Sequence, residues 1–160
     1  MTPLRGRRPP LGLMRHSRRR LVASDALVAG AVASVISGVP STLLSLWRGE
    51  DPLEASLAAG TLLLPHEPRR RRLLAAAAVV HAGLSLGWAL VLAAALPRRA
   101  TVRWSALAGF LIALLDLGVI GRRFDRIREL APLPQLADHL AYAITVGGVL
   151  AARRNQRQRS

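Results

Sequence analysis

Four apolar stretches, residues 21–46, 73–96, 104–120 and 136–152, alternate with clusters of arginine along this 160-residue chain. The hydrocarbon core of a bilayer is about 30 Å thick and takes roughly 20 apolar residues of helix to cross. Each stretch is near that length and is bounded by Arg, Pro or Trp. Windows such as 73–80 (LLAAAAVV) and 110–115 (FLIALL) are apolar on every side, which in a helix means burial or contact with lipid. A chain this short cannot bury four such helices in one water-soluble core. The pattern predicts an all-α protein, a four-helix transmembrane bundle forming one domain over residues 21–152. A basic, disordered leader (1–20) and a basic tail (153–160) flank it.

The charge points the same way. A formal net charge of +14 arises from 23 arginines, no lysine and 9 acids. Basic patches are the footprint of nucleic-acid binding, but here the arginines sit at the edges of the apolar stretches, where they can snorkel and meet anionic lipid headgroups. The expected partners are therefore a bilayer with anionic headgroups and a second copy or another membrane protein, with no nucleic acid. The absence of Cys removes disulfide and thiolate chemistry.

Along the chain, Met14 offers an alternative start, and Ser17 to Val22 has the look of a twin-arginine export signal. Asp25 and three further apolar stretches argue instead for a positive-inside flank. Ser24 reads as an N-cap with Asp25 at the positive helix end. Gly30, Ser34 and Gly38 form a small-residue stripe of the kind that lets membrane helices approach closely, and Pro40 kinks or ends the span. Asp51-Pro52-Leu53-Glu54 reads as a helix start, but 53–64 holds only ~12 residues before Pro65, too short to cross. An interfacial or re-entrant helix is expected between the first and second spans. Gly83 and Gly87 form a GxxxG motif in the second span. Gly109, Ala113 and Asp116 share one side of the third, which an amphipathic segment (122–130) extends. Pro132 and Pro134 break the chain, and Ala143 and Gly147 are spaced for packing in the fourth. With both ends inside, inside segments hold 14 arginines and outside segments 9, so the positive-inside rule places both termini of this multi-pass cell-membrane protein in the cytoplasm.

Ionisable groups within a span are costly and mark functional candidates: here His81, Asp116, Asp138 and His139. Counting residues from the span ends places all four near one membrane surface, on three helices. A carboxylate beside an imidazole fixes its tautomer and raises its basicity, which suits a site for a proton, a metal or a small polar ligand. The same groups could equally serve as interhelical hydrogen bonds that fix register. Haem ligation by His81 and His139 would need facing rings, which no spacing shows. There is no HExxH, no GxSxG elbow and no phosphate loop.

The fourth stretch contains His139, Tyr142, Ala143 and Gly147, a His-x-x-aromatic-small-x-x-x-Gly pattern. With the order of features before it, the chain resembles small uncharacterised four-helix integral membrane proteins of high-GC bacteria, in which a glycine is commoner where Ala143 stands. The resemblance implies architecture and no activity. The expected role is a non-enzymatic accessory or scaffold protein without a cofactor. The alternative is a proton- or cation-coupled transporter component using the His/Asp cluster.

Overall fold

The computed structural model describes residues 11–159, with side chains from Arg20 onward. It is all-helical, 82% helix with no strand among the described residues. Helices α1 (Leu11–Ile36) and α2 (Val39–Arg48) form one run interrupted at Ser37 and Gly38. Next come α3 (Glu54–Gly60), α4 (Arg70–Ala95) and α5 (Thr101–Leu115). α5 continues through a π-helical segment (Asp116–Ile120) into a 3-10 turn (Gly121–Arg123). The short α6 (Asp125–Arg128) and the long α7 (Pro132–Arg159) complete the chain.

Three segments, Arg20–Arg48, Arg70–Ala95 and Thr101–Arg123, are long and apolar enough to cross a membrane. α7 has the length, at 28 residues, but Asp138, His139 and Arg153 dilute its apolarity. The packing gives the reason. α7 lies against α5, α1, α2 and α4, so these polar groups meet protein.

Several local expectations need correcting. α1 begins at Leu11, so residues 11–20 are helical and not a disordered leader; residues 1–10 lie outside the described residues. No proline interrupts the chain between Pro10 and Pro40, and Leu, Ala and Arg are strong helix formers. Ser24 is therefore inside a helix and caps nothing. Asp25 is buried, accepting from Arg153 Nε at 2.6 Å and from Arg157, which ties α1 to the end of α7. The 122–130 extension is broken at Phe124, whose extended backbone separates the 3-10 turn from α6. Pro132 and Pro134 fall inside the first turn of α7, where the missing N–H groups have no helical acceptor to lose.

The segment expected over 53–64 is a helix of only seven residues, Glu54–Gly60, about 10 Å long. It lies on the start of α4, where a Cβ on Gly60 would come within 2.2 Å of the Leu73 carbonyl oxygen. Only glycine permits that approach. Asp51 accepts the Leu53 N–H at 2.9 Å and binds Arg70 through a two-pronged ion pair at 2.5 and 2.9 Å. Glu54 takes Arg126 in the same manner at 2.7 and 3.1 Å. The Arg70 guanidinium holds the Asp51 carboxyl down at about 2. Because that value is lowered, the contact is fully formed above the usual carboxylate range and is lost as pH falls through about 2.

Small residues fill the interior. Ala26, Ala29 and Ala33 of α1 face Ser85, Ala89 and Ala93 of α4, and all are buried. Gly109 and Ser105 of α5 meet Ala143 and Gly147 of α7. Some large side chains are buried with them, Leu73, Val146 and Leu150 among them, but many more point outward: Val35 is 78% exposed while Ala33 is 0%. Leu27, Leu43, Leu90, Leu111 and Leu114 are exposed too. Only 28%, 22% and 28% of the three most apolar windows is buried, so their greasy surface must be covered by something other than this chain.

Of the expected packing residues, Gly30, Ala143 and Gly147 make close contacts, whereas Gly38, Gly83 and Gly87 have nothing within 4 Å of an added Cβ. A Cβ on Gly147 would lie 2.0 Å from Ser105 Oγ and 2.8 Å from its Cβ. Gly147→Val should therefore destabilise the detergent-solubilised protein by about 1–3 kcal/mol. Gly83→Val should leave the thermal midpoint of the monomer near wild type, and equal losses in both would contradict this packing.

Candidate functional site

The break between α1 and α2 generates the site. Pro40 has no N–H and its ring excludes the carbonyl four residues before it, so the helix stops at Ile36 and restarts at Val39. A restarted helix has unpaired N–H groups in its first turn. One of them, the Ser41 N–H, donates to Asp138 Oδ1 at 2.9 Å. Asp138 thus caps α2 from another helix, with its negative charge at the positive end of the helix dipole. On the other side of the break the Ser34 carbonyl accepts from His81 Nε2 at 2.7 Å. His81 and Asp138 each satisfy backbone that the break set free.

Asp116 and His139 form the second pair. Asp116 opens the π-helical segment of α5, and its Oδ2 lies 3.3 Å from His139 Nε2. The other ring nitrogen, Nδ1, is 2.7 Å from the Gln135 carbonyl oxygen. A carbonyl can only accept, so Nδ1 carries a hydrogen. In a neutral ring Nε2 would then be bare and would present a lone pair to the carboxylate. The contact is attractive only if one more proton is present, either on Nε2 facing an ionised Asp116 or on Asp116 facing a neutral ring.

All four residues line one open cleft of about 660 Å3 between the α1–α2 break, α3, α4 and the α5–α7 pair. Leu84, Trp88 and Ile112 supply apolar wall, and Ser37, Ser56 and Gln135 supply further polar atoms. Tyr142 closes the inner end, donating from its hydroxyl to the Ser85 carbonyl and joining α7 to α4. The expected common depth holds in part. His81 lies eleven residues after Arg70 in the 26-residue α4, near its middle, about 16 Å from that end. Among the described residues the side chains of His81 and Asp138 make no hydrogen bond with the Asp116–His139 pair; they share its cleft.

Both nitrogens of His139 and Nε2 of His81 already have partners, an arrangement unsuited to axial haem ligation. Among the described residues, no three His, Cys, Asp or Glu side chains cluster to hold a metal ion. Sequence reasoning passed over Ser41 and Gln135, and took Tyr142 only as the aromatic of the pattern in the fourth stretch. Gln135 sits one helical turn before His139 and Ser41 directly follows Pro40, but their backbone partnerships leave no pattern of residue types. Asp25 was a more legible omission, being an acid in an apolar stretch and hence in need of a partner.

If Asp138 serves chiefly as a cap, an uncharged acceptor should replace it. Asp138→Asn should retain near-wild-type stability in detergent, while Asp138→Ala should lose about 1–2 kcal/mol by leaving the Ser41 N–H unpaired. Equal stability in both variants would show that the Ser41 contact contributes nothing. No protein-family model, no curated protein and no solved structure matches this chain.

Proposed function

We propose that the chain is a multi-pass integral membrane protein with a non-enzymatic accessory or scaffolding role. In this reading four helices cross the cell membrane: the α1–α2 run, α4, α5 with its π-helical segment, and α7. α3 lies at the interface. The observation that carries it is the packing: alanine, glycine and serine supply most of the helix contacts inside, and many more large apolar side chains are exposed than buried. That arrangement is stable where the surrounding solvent is itself apolar. α7 fits as the fourth span because its polar residues face other helices, as intramembrane polar groups do. The outward Gly83–Gly87 stripe favours association with a second copy or another membrane helix.

Sidedness follows from charge. Contacts of Arg153 with Asp25 and of Arg154 with the end of α4 gather the N-terminal half of α1, the end of α7 and the α4–α5 turn at one end. In the sequence, the segments flanking the spans on that side (1–20, 98–103 and 153–160) hold fourteen of the 23 arginines, which favours the cytoplasm. Reporter fusions test the arrangement: one after residue 160 should read cytoplasmic and one after residue 68 external. A cytoplasmic readout at 68, or release of the protein from membranes by alkaline carbonate, would overturn it.

A second reading, a proton- or cation-coupled transporter component, is favoured by the contact between Asp116 and His139 in an open cleft. It predicts that proteoliposomes dissipate an imposed pH gradient and that Asp116→Asn abolishes the flux while the protein stays folded. Absence of flux between pH 5 and 8 would remove this reading and leave the first.

A further inference from the structure

The two ends of the molecule treat their arginines differently. At the end opposite the termini, nine arginines are accompanied by six acids, Glu50, Asp51, Glu54, Glu67, Asp125 and Glu129. Four ion pairs form there: Arg70–Asp51, Arg72–Glu67, Arg126–Glu54 and Arg128–Asp125. At the other end the described side chains Arg20, Arg98, Arg99, Arg103, Arg153, Arg154, Arg157 and Arg159 share one described acid, Asp25, which Arg153 and Arg157 already occupy. The remaining positive charge at that end lacks a carboxylate among the described residues.

Part of that surplus is organised. A pocket of about 290 Å3 lies between the start of α5 and the last turns of α7, and Arg98, Arg103 and Arg154 line it with Thr101 and Asn155. No Asp or Glu does so. Arg154 is half-buried and donates to the carbonyl oxygens of Ala93, Leu96 and Pro97 at 3.2, 3.3 and 3.2 Å. It is therefore held in place without being neutralised. Burial, and then the charge of Arg98, push its guanidinium below the ordinary arginine value. The guanidinium groups of Arg98 and Arg103 make no hydrogen bond or ion pair among the described residues. Gathering three guanidinium groups around one space that no carboxylate lines costs free energy unless an anion enters, and a phosphodiester is the anion that matches guanidinium geometry. No side chain caps the first turn of α5, so its N–H groups add further donors.

The geometry points to a binding site for the phosphate of an anionic phospholipid, formed by Arg98, Arg103 and Arg154 at the end of the molecule that carries both termini. It rests on the membrane reading, because a lipid phosphate at that level of a bilayer is the nearest abundant anion. Arg154 anchors the site and supports the end of α4. Arg98 and Arg103 have no structural duty and are free to close on the ligand.

The site can be tested by titrating the detergent-solubilised full-length protein with phosphatidylglycerol, phosphatidylcholine or inorganic phosphate and following bound lipid by native mass spectrometry. Alkaline extraction of the same membranes checks integration separately. Phosphatidylglycerol should bind at least tenfold more tightly than phosphatidylcholine. Arg98→Gln with Arg103→Gln should remove that preference, at roughly fivefold per arginine. Arg122→Gln with Arg123→Gln, at the opposite end, should preserve it. Equal binding of the two lipids, or equal loss in both double variants, would overturn the site while leaving membrane integration intact. Saturation by millimolar inorganic phosphate with no lipid preference would assign it to a free anion and overturn the lipid assignment.

Discussion

Close approach between helix backbones is the constraint on which the other features depend. Alanine, glycine and serine at the α1–α4 and α5–α7 contacts bring Gly109 within reach of Ala143 and the His139 carbonyl, and Gly147 against Ser105. With so little side-chain volume at those contacts, dispersion and hydrogen bonds supply much of the cohesion, and a few buried large side chains such as Leu73, Val146 and Leu150 add to it. Many Leu and Val side chains are then left for the outer surface. In water that outer surface would be a severe liability, whereas in hydrocarbon it costs nothing.

The same tightness explains why polar groups at depth are so fully engaged. Where Pro40 forces the first run to break, the freed backbone takes Asp138 and His81, because an unpaired amide away from water is expensive. Where α5 widens into a π-helical segment, Asp116 meets His139, and such segments often mark functional positions. Two irregular backbones on opposite sides of one cleft give it its shape, and four ionisable side chains give it its chemistry. A structural duty and a binding role are compatible here, since each contact leaves the cleft open.

Charge distribution adds an axis to this arrangement. One end neutralises its arginines internally through pairs such as Arg70–Asp51 and Arg126–Glu54. The other leaves the guanidinium groups of Arg98 and Arg103 without partners among the described residues. Exposed pairs contribute little to stability, so their value at the first end is in docking α3 and α6 to the rest of the chain. At the second end the charge is directed outward, toward whatever anions lie at that level.

Read alone, the amino-acid order settled the all-helical character, three apolar crossing-length segments and the short breaks between them, because hydropathy and proline act within a few residues of where they stand. It also singled out His81, Asp116, Asp138 and His139, since an ionisable residue in an apolar run is conspicuous without any fold. Tertiary structure decided which partners they took, which small-residue stripes were used, and that Asp25 serves Arg153 and Arg157 in place of a helix start. Gly30 and Gly83 look alike in sequence, yet one is packed against Ala89 and the other has open space beside it. The reason is geometric. Periodicity assigns a residue to a face of its own helix, but the rotation of that helix relative to its neighbours comes only from the contacts they make together.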